Sequence, residues 1–443
     1  MIHKIDKQSL IIYLGLFLLI STQVFYIAGS LLANLSVILF GFSYIVLQSK
    51  ENFFYFIKKY KIQTFLIFVC ILINILNSEF TYLSSTKLIL YLRFILFTFS
   101  IIFFLNIIKN KIDVYLKYLS FLIIFLIMDS LIQFYFGKDI FGYDYNKDYF
   151  RISGPFGDEW IIGNYLFNIG FLTLAYLNFF KNIDLKYNII IILVISLTIL
   201  YSGERTAYFS IYIFLLLMFI FSNKKKLILL STIFLIFLSA AIIKQPFGDE
   251  RGNYLSLKYD LTILAQLIGE GKNNNLNNND VSDSDSINKS DEENKKLITK
   301  FFNKLKNSKW LGHYYMANKI LKNNLISGSG FRTFKYTCLD YQKKEKTFGR
   351  RCSNHPHNLH LEILSDNGIL GYLIFIWFIS YIFYIFIKEK LYKNFGICIL
   401  FCVILTFIFP FKPTGSLFTT NTSFIFWTII GHFIFLRNLN RIN

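Results

Sequence analysis

The chain has 443 residues, of which 54% are hydrophobic, 19% aromatic and only 16% charged. A soluble globular domain carries about 25% charged residues, so that class is excluded. The net charge of +19 does not describe a nucleic-acid surface, because most of the lysines stand in short loops between long apolar runs.

Those runs are ~17–22 residues long, enough to cross ~30 Å of hydrocarbon as a helix. In lipid the backbone must satisfy its own hydrogen bonds, so the runs must be helical. Five prolines in the whole chain suit long uninterrupted helices. In chain order the sequence predicts about twelve spans: 9–27, 30–48, 62–77, 87–108, 115–136, 160–180, 187–201, 206–222, 227–243, 368–387, 394–410 and 417–436. The expected class is an all-α integral membrane protein. Met1 to Ser9 lead into a full-length apolar run with no small-residue cleavage site, so that run is read as its own targeting signal.

The charges then orient the spans. Lys4 and Lys7 precede the first, and Lys50, Lys58, Lys59 and Lys61 follow the second. Lys109 and Lys111 follow the fourth, Lys181 and Lys186 the sixth, and Lys224, Lys225 and Lys226 the eighth. Lys388, Lys390 and Lys393 follow the tenth, and Arg437 and Arg441 the twelfth. Every second loop is basic, which places both termini in the cytoplasm. The loops 137–159, 202–205 and 244–367 then face outward. Three parts result: 1–243 with nine spans and short loops, a large outer loop 244–367 between spans nine and ten, and 368–443 with three spans and a tail. Within the large loop, 272–296 reads KNNNLNNNDVSDSDSINKSDEENKK; it has almost no apolar content and is expected to be a disordered insert. Helical texture returns at Phe301 to Lys306 and Trp310 to Asn323, read as amphipathic helices against the membrane face.

The candidate chemistry gathers on the outward side. His355, His357 and His360 fall within six positions. A neutral imidazole with a fixed tautomer can take a proton from a hydroxyl. Pro356 restricts His355 to extended backbone. A helix is expected from near His357 to Asp366, ended at Gly368, with Asn358 and Glu362 on one face, either able to orient an imidazole. Loop histidines without a role, or a metal site, are the competing readings. The metal reading lacks a Cys or Asp arrangement to close a shell, and no metal or cofactor is expected.

Arginine grips phosphate oxygens in pairs. Arg151, Arg205 in the turn SGERTAY, Arg332 in GSGFRTF, and Arg350 and Arg351 are the outward candidates. Snorkelling to lipid phosphate is the alternative for Arg205, and for Arg93, which lies a turn inside span four; otherwise Arg93 joins the site. Asp129 and Gln133 share a face of span five and either join the site or bond between helices. Gly328 and Gly330 would let backbone approach a phosphate. Cys70, Cys398 and Cys402 fall within spans and read as buried small hydrophobes. Cys338 and Cys352 share the outer loop, where an oxidising compartment favours a disulfide.

In series these segments resemble the O-antigen ligase and polymerase superfamily. LIQFYFGKDIFGYD with RISGPFGDEWIIGNYL is similar to its first outward-loop motif, and SGERTAYFS to its short Arg turn. ISGSGFRTF, preceded by GHYYMANKILKNN, is similar to its Gly-x-Gly loop, and CSNHPHNLHLEILSDNGILG to its His-Asn signature. FPFKPTGSLFTTN is a weaker fifth match. The resemblance implies a C-type glycosyltransferase fold and a metal-independent transfer from undecaprenyl-pyrophosphate-linked glycan. It implies that Arg205 and Arg332 bind the donor pyrophosphate with help from Arg151. It makes His357 the general base, supported by Asn358 and Glu362. Where many members carry an Arg, this chain offers Lys309 and His313, so His313 and His355 are secondary candidates.

The expected setting is the bacterial inner membrane, with membrane lipids around the spans, the site facing the periplasm and no nucleic-acid partner. Ligation to lipid A–core is favoured. Polymerisation onto a lipid-linked acceptor, or transfer to protein hydroxyls, would use the same donor motifs. A lipid-linked sugar transporter would need mid-membrane ionisable groups and a repeated span pattern, and the sequence presents neither.

Overall fold

The computed structural model describes residues 7–47, 61–146, 151–244, 309–345 and 352–442. The Asn-rich insert, the segment 301–306, Arg350 and Arg351 lie outside the described residues.

Every regular element among the described residues is a helix. In chain order these are α1 (Lys7–Ile27), α2 (Ser30–Leu47), α3 (Lys61–Leu76), α4 (Thr81–Ile107) and α5 (Ile112–Phe136). α6 runs as Ile162–Tyr165, a π-turn Leu166–Gly170 and Phe171–Lys181. Then come α7 (Leu185–Tyr201), α8 (Arg205–Phe221), α9 (Lys225–Lys244), α10 (Lys309–Asn323), α11 (Phe334–Glu345), α12 (Leu359–Lys388), α13 (Phe395–Phe407) and α14 (Thr420–Ile442).

Six of these, α1, α2, α4, α5, α12 and α14, are long and apolar enough to cross a membrane by length and composition. The architecture is that of an all-α membrane protein. The other expected spans fall on α3, on the broken α6 and on α7, α8, α9 and α13. Several boundaries differ from expectation, among them the end of α14 at Ile442. α4 begins at Thr81, because a polar first turn costs little at a helix end, and α12 begins at Leu359, ahead of its apolar run.

The bundle is apolar on both sides. Its centre is built from large side chains such as Phe40, Phe97, Phe104, Tyr115 and Phe171, each fully buried. Its outside carries exposed Leu31, Phe68, Phe121 and Phe237, as a surface facing hydrocarbon must. α14 packs on α4, α2 on α4, and α13 on both α6 and α8.

At one end lie ion pairs: Lys181 Nζ to Asp113 at 2.9 Å, and Arg437 and Arg441 both on Glu389. At the other end the loops bond to one another. Ile152 N donates to Ser202 O at 3.4 Å, and Asn421 Nδ2 donates to Glu159 Oε2 at 2.6 Å. Gln133 and Asp129, near the end of α5, hold this loop layer in place. Gln133 Oε1 accepts from Ser153 N and Gly154 N at 3.0 and 2.7 Å, and Asp129 Oδ1 accepts from Ile140 N at 2.9 Å. Their hydrogen bonds thus run from helix to loop, and not between helices.

α10 and α11 form a cap at this same end. Met316, Ala317, Ile320, Phe334 and Cys338 make a small core of their own, with Leu361 of α12 packed against it.

Candidate functional site

The site is assembled around a kink. α12 is two helices joined at Gly368, whose φ of 64° and ψ of −168° are non-helical. The kink frees carbonyls, and the loop 325–330 takes them up. Ser329 N donates to Ser365 O at 3.0 Å and Gly330 N to Asp366 O at 2.9 Å. From the far side of the kink, Ile369 N donates to Leu325 O at 2.9 Å. α3 joins in, since Asn74 Nδ2 donates to Ser327 O and Asp366 O at 2.6 and 2.9 Å. Gly328 and Gly330 have φ of +72° and +118°, and a Cβ on Gly328 would lie 2.4 Å from the Asp366 carbonyl. Only glycine fits such positions. The backbone these glycines admit is the protein's own, and the Ser329 and Gly330 amides are engaged by α12.

The junction sets Arg332. Asp366 Oδ1 accepts from Phe334 N at 2.9 Å, and its carboxylate also takes the amides of Arg332 and Thr333. Arg332 is held at φ +57° and His357 at +58°, a left-handed backbone rare outside glycine. Among the described residues, the other two non-glycine residues of this kind, Asn182 and Lys390, stand in turns beside Lys181 and Glu389, at the opposite end of the bundle. Strained backbone concentrates at working sites, and here it marks the two residues the sequence singled out. Arg332 is half-buried, within electrostatic reach of Lys87, Arg93, His355 and Glu362. Arg93 is anchored by α2, donating from Nη2 to Asn34 Oδ1 at 2.7 Å.

The histidines regroup. The His355 and His357 rings lie 4.2 Å apart, centroid to centroid, and His313 from α10 approaches His357 at 5.3 Å. His360 turns away. Its Nε2 donates to Ile408 O at 2.7 Å and its Nδ1 accepts from Tyr372 at 3.1 Å, which accounts for both nitrogens structurally. Burial, reinforced by the neighbouring His357, pushes His355 down to about 4. Burial, reinforced by His313, does the same to His357, also to about 4. Both are therefore neutral near pH 7. His355 hydrogen-bonds the backbone of Thr414, while its buried Nε2 has no partner. Among the described residues, no three His, Cys, Asp or Glu side chains are arranged to hold a metal ion.

Asn358 and Glu362 serve the loop 408–419. Asn358 caps α12, its Oδ1 accepting from Leu361 N at 3.1 Å, while its Nδ2 donates to Pro410 O at 2.7 Å. Glu362 Oε2 accepts from Leu417 N at 3.1 Å. Neither of these bonds runs to an imidazole. Instead they fix the strand of backbone from which Thr414 N donates to His357 O at 3.0 Å.

Cys338 and Cys352 are bridged, with Cα atoms 5.8 Å apart. The bond ties α11 to the start of the segment carrying His355 and His357.

The short turn before α8 contributes a residue that sequence reading passed over. Glu204 is buried, and its carboxyl accepts from Gly163 N at 2.6 Å and Asn164 N at 3.2 Å. Burial raises it to about 7, against those two bonds and the charge of Arg151. Arg151 also stands 5.9 Å over the Trp160 ring. Arg205 follows at the surface. An acid in a polar turn gives no sign of burial in sequence, which is why Glu204 was not legible.

Two cavities open beside these residues. A cavity of about 330 Å³ runs between α3, α4, α12 and α14, with walls that include Leu92, Phe331, Phe375, Trp377 and Trp427. It is almost wholly apolar, and Phe331, the chain neighbour of Arg332, is one of its walls. A second, of about 200 Å³, is bounded by Glu204, Thr206, Lys412, Thr414 and Asn421. Thr414 joins it to the histidines.

Residues 190–376 match the family model described as O-antigen ligase. This segment belongs to the O-antigen ligase superfamily. No curated protein matches the chain. The ligase-family segment spans α7 to the middle of α12 and so contains Glu204, Arg205, His313, Arg332, the His355–His357 pair, Asn358 and Glu362. The family is one of glycosyltransferase-like ligases and polymerases of lipid-linked glycan. Arg93, Arg151 and Lys412 lie outside the matched residues and reach the same end of the bundle through the fold alone.

Proposed function

We propose that this protein is an O-antigen ligase-type glycosyltransferase, moving glycan from undecaprenyl pyrophosphate to an acceptor hydroxyl at the periplasmic face of the bacterial inner membrane. Lipid A–core is the acceptor we favour. The observation that carries the reading is the neutral His355–His357 pair within electrostatic reach of Arg332, whose chain neighbour Phe331 lines an apolar cavity.

Each part has a chemical task. The donor's polyprenyl tail occupies the apolar cavity. Arg332 and Arg205, with Arg151 in support, hold the pyrophosphate, and preorganised guanidinium groups stabilise the charge that develops on it. Arg93 and Lys87 add to the positive field at Arg332. His357 takes the proton of the acceptor O–H. The acceptor oxygen forms a bond to the anomeric carbon as the bond from that carbon to the pyrophosphate oxygen breaks. The electron pair leaves with undecaprenyl pyrophosphate, and the proton rests on the imidazole. The departing pyrophosphate supplies the driving force, so no nucleotide is required. His355, close by and held neutral near pH 7 by burial, adds no competing positive charge beside the base, and the His313 ring stands 5.3 Å from it. Asn358 and Glu362 position the loop 408–419 against it.

The test is transfer by purified protein in detergent, given undecaprenyl-pyrophosphate glycan with and without lipid A–core. Glycan appearing on lipid A–core, and lost in His357→Ala and Arg332→Ala, supports the ligase. Glycan lengthening on its own lipid carrier with the same residue dependence would instead make the protein a polymerase. Transfer undiminished by both substitutions would sink the site.

A further inference from the structure

Lys412 is buried, with 7% of its surface exposed, and it belongs to the loop between α13 and α14. No carboxylate among the described residues lies within ion-pair distance of it. Its Nζ stands 5.8 Å over the Phe407 ring, and both residues are walls of the 200 Å³ cavity. A buried ammonium without a counter-ion is costly, and burial alone draws its pKa down to about 8. An anion placed in the cavity would remove that cost.

The rest of the lining describes what would carry the anion. Thr414 Oγ1 is buried without a partner, and Asn421 and Thr206 add polar surface beside the aromatic faces of Tyr26 and Phe407. Polar groups around an aromatic floor suit a sugar ring. A cavity of about 200 Å³ holds roughly half a dozen waters at ~30 Å³ each, about the bulk of one pyranose. The charge balance argues for a single negative charge. Glu204 also borders the cavity, with its carboxyl committed to the Gly163 and Asn164 amides, so one cation faces the space and an acid stands beside it. The pyrophosphate, with more charge, is better served at Arg332, where Lys87 and Arg93 are in electrostatic reach.

We infer that this cavity is a subsite for a carboxylate-bearing sugar of the transferred glycan, with Lys412 as its specificity residue. The inference rests on the glycosyltransferase reading and names the class of glycan it accepts.

Two measurements test it. The first compares kcat/KM for a glucuronate-containing lipid-linked glycan with that for the same glycan after reduction of its carboxyl to the neutral hexose. The intact enzyme should prefer the acidic donor by about 10- to 100-fold, the range of a charge-assisted hydrogen bond. Lys412→Met should bring the ratio to about one, and Lys412→Arg should keep most of it. Equal loss on both donors in Lys412→Met, or no preference in the intact enzyme, would overturn the proposal.

The second measurement needs neither turnover nor a variant. Acetylation of Lys412 in the intact protein is followed by mass spectrometry with glucuronate, glucose or inorganic pyrophosphate present. Protection by glucuronate alone supports the subsite. Equal protection by pyrophosphate would assign the lysine to the leaving group, and no protection would leave no subsite; either result overturns the inference. Glucuronate protection in a protein that transfers no glycan would keep the subsite and reject the transferase.

Discussion

The ring of His313 lies 5.3 Å from the ring of His357, although one sits on the cap helix α10 and the other on the segment leading into α12. With the His355 ring 4.2 Å from that of His357, three imidazoles come together, and burial holds His355 and His357 neutral near pH 7. Neutrality is the condition for a base near pH 7.

This sets the pH dependence. The base acts deprotonated, so transfer should be flat from about pH 8 to about 6, where an exposed histidine would already be titrating. It should then fall as the pH nears about 4, the value to which burial holds His355 and His357. Stability follows the same sign. A folded pKa below the unfolded one means stability present above about pH 6.5 and lost as the pH falls through about 4. Rate and melting profiles between pH 8 and 4 check both, and a rate inflection near 6.5 would refute the buried-base reading.

The bridge between Cys338 and Cys352 spans 14 positions. Closing a loop of that length restrains the unfolded chain by about 3 kcal/mol. Cys338→Ser should lower the melting temperature of the purified protein and reduce transfer, because the segment carrying His355 and His357 begins at the bridge. Reductant should mimic the substitution. Unchanged melting in both would show that the cap holds without the bond.

Glu204→Ala would leave the amides of Gly163 and Asn164 without their acceptor at the start of α6. A buried unsatisfied donor costs about 1–3 kcal/mol. Because burial raises Glu204 to about 7, its contribution is full below about pH 4.5 and declines as the pH rises through 7. The destabilisation should therefore be larger at pH 5 than at pH 8. Thermal unfolding in detergent at the two values measures it, and the opposite order would mean the carboxylate is the stabilising form.

Gly330→Ala places a Cβ 2.1 Å from Ser78 Oγ at a φ of +118°. The loop cannot then sit on the α12 kink, and little folded protein should be recovered. Gly312→Ala is the matched control. It lies within α10 with nothing within 4 Å of its added Cβ, and the gain in helix propensity is up to about 1 kcal/mol. Equal recovery of the two variants by size-exclusion chromatography would contradict the junction described.

What the sequence determined by itself is what depends on neighbours along the chain. Apolar runs long enough for hydrocarbon mark helices wherever they fall, and every expected span lies on a helix in the structure. Gly368 reads as a helix break because its consequence is local. His355, His357 and Arg332 stood out in the sequence as candidates, because their residue types and turn contexts are rare in an apolar chain, and the structure brings Arg332 within electrostatic reach of His355. Convergence was not legible. His360 belongs to the same short motif yet spends both nitrogens on Ile408 and Tyr372, while His313 arrives from another helix. Glu204 and Lys412 look like any loop charges in one dimension. They become a buried acid and a buried cation only when α6, α8 and the loop 408–419 meet at one end of the bundle. Length and hydropathy act along a segment, but burial of a loop charge is set by elements far apart in sequence, and only their packing decides it.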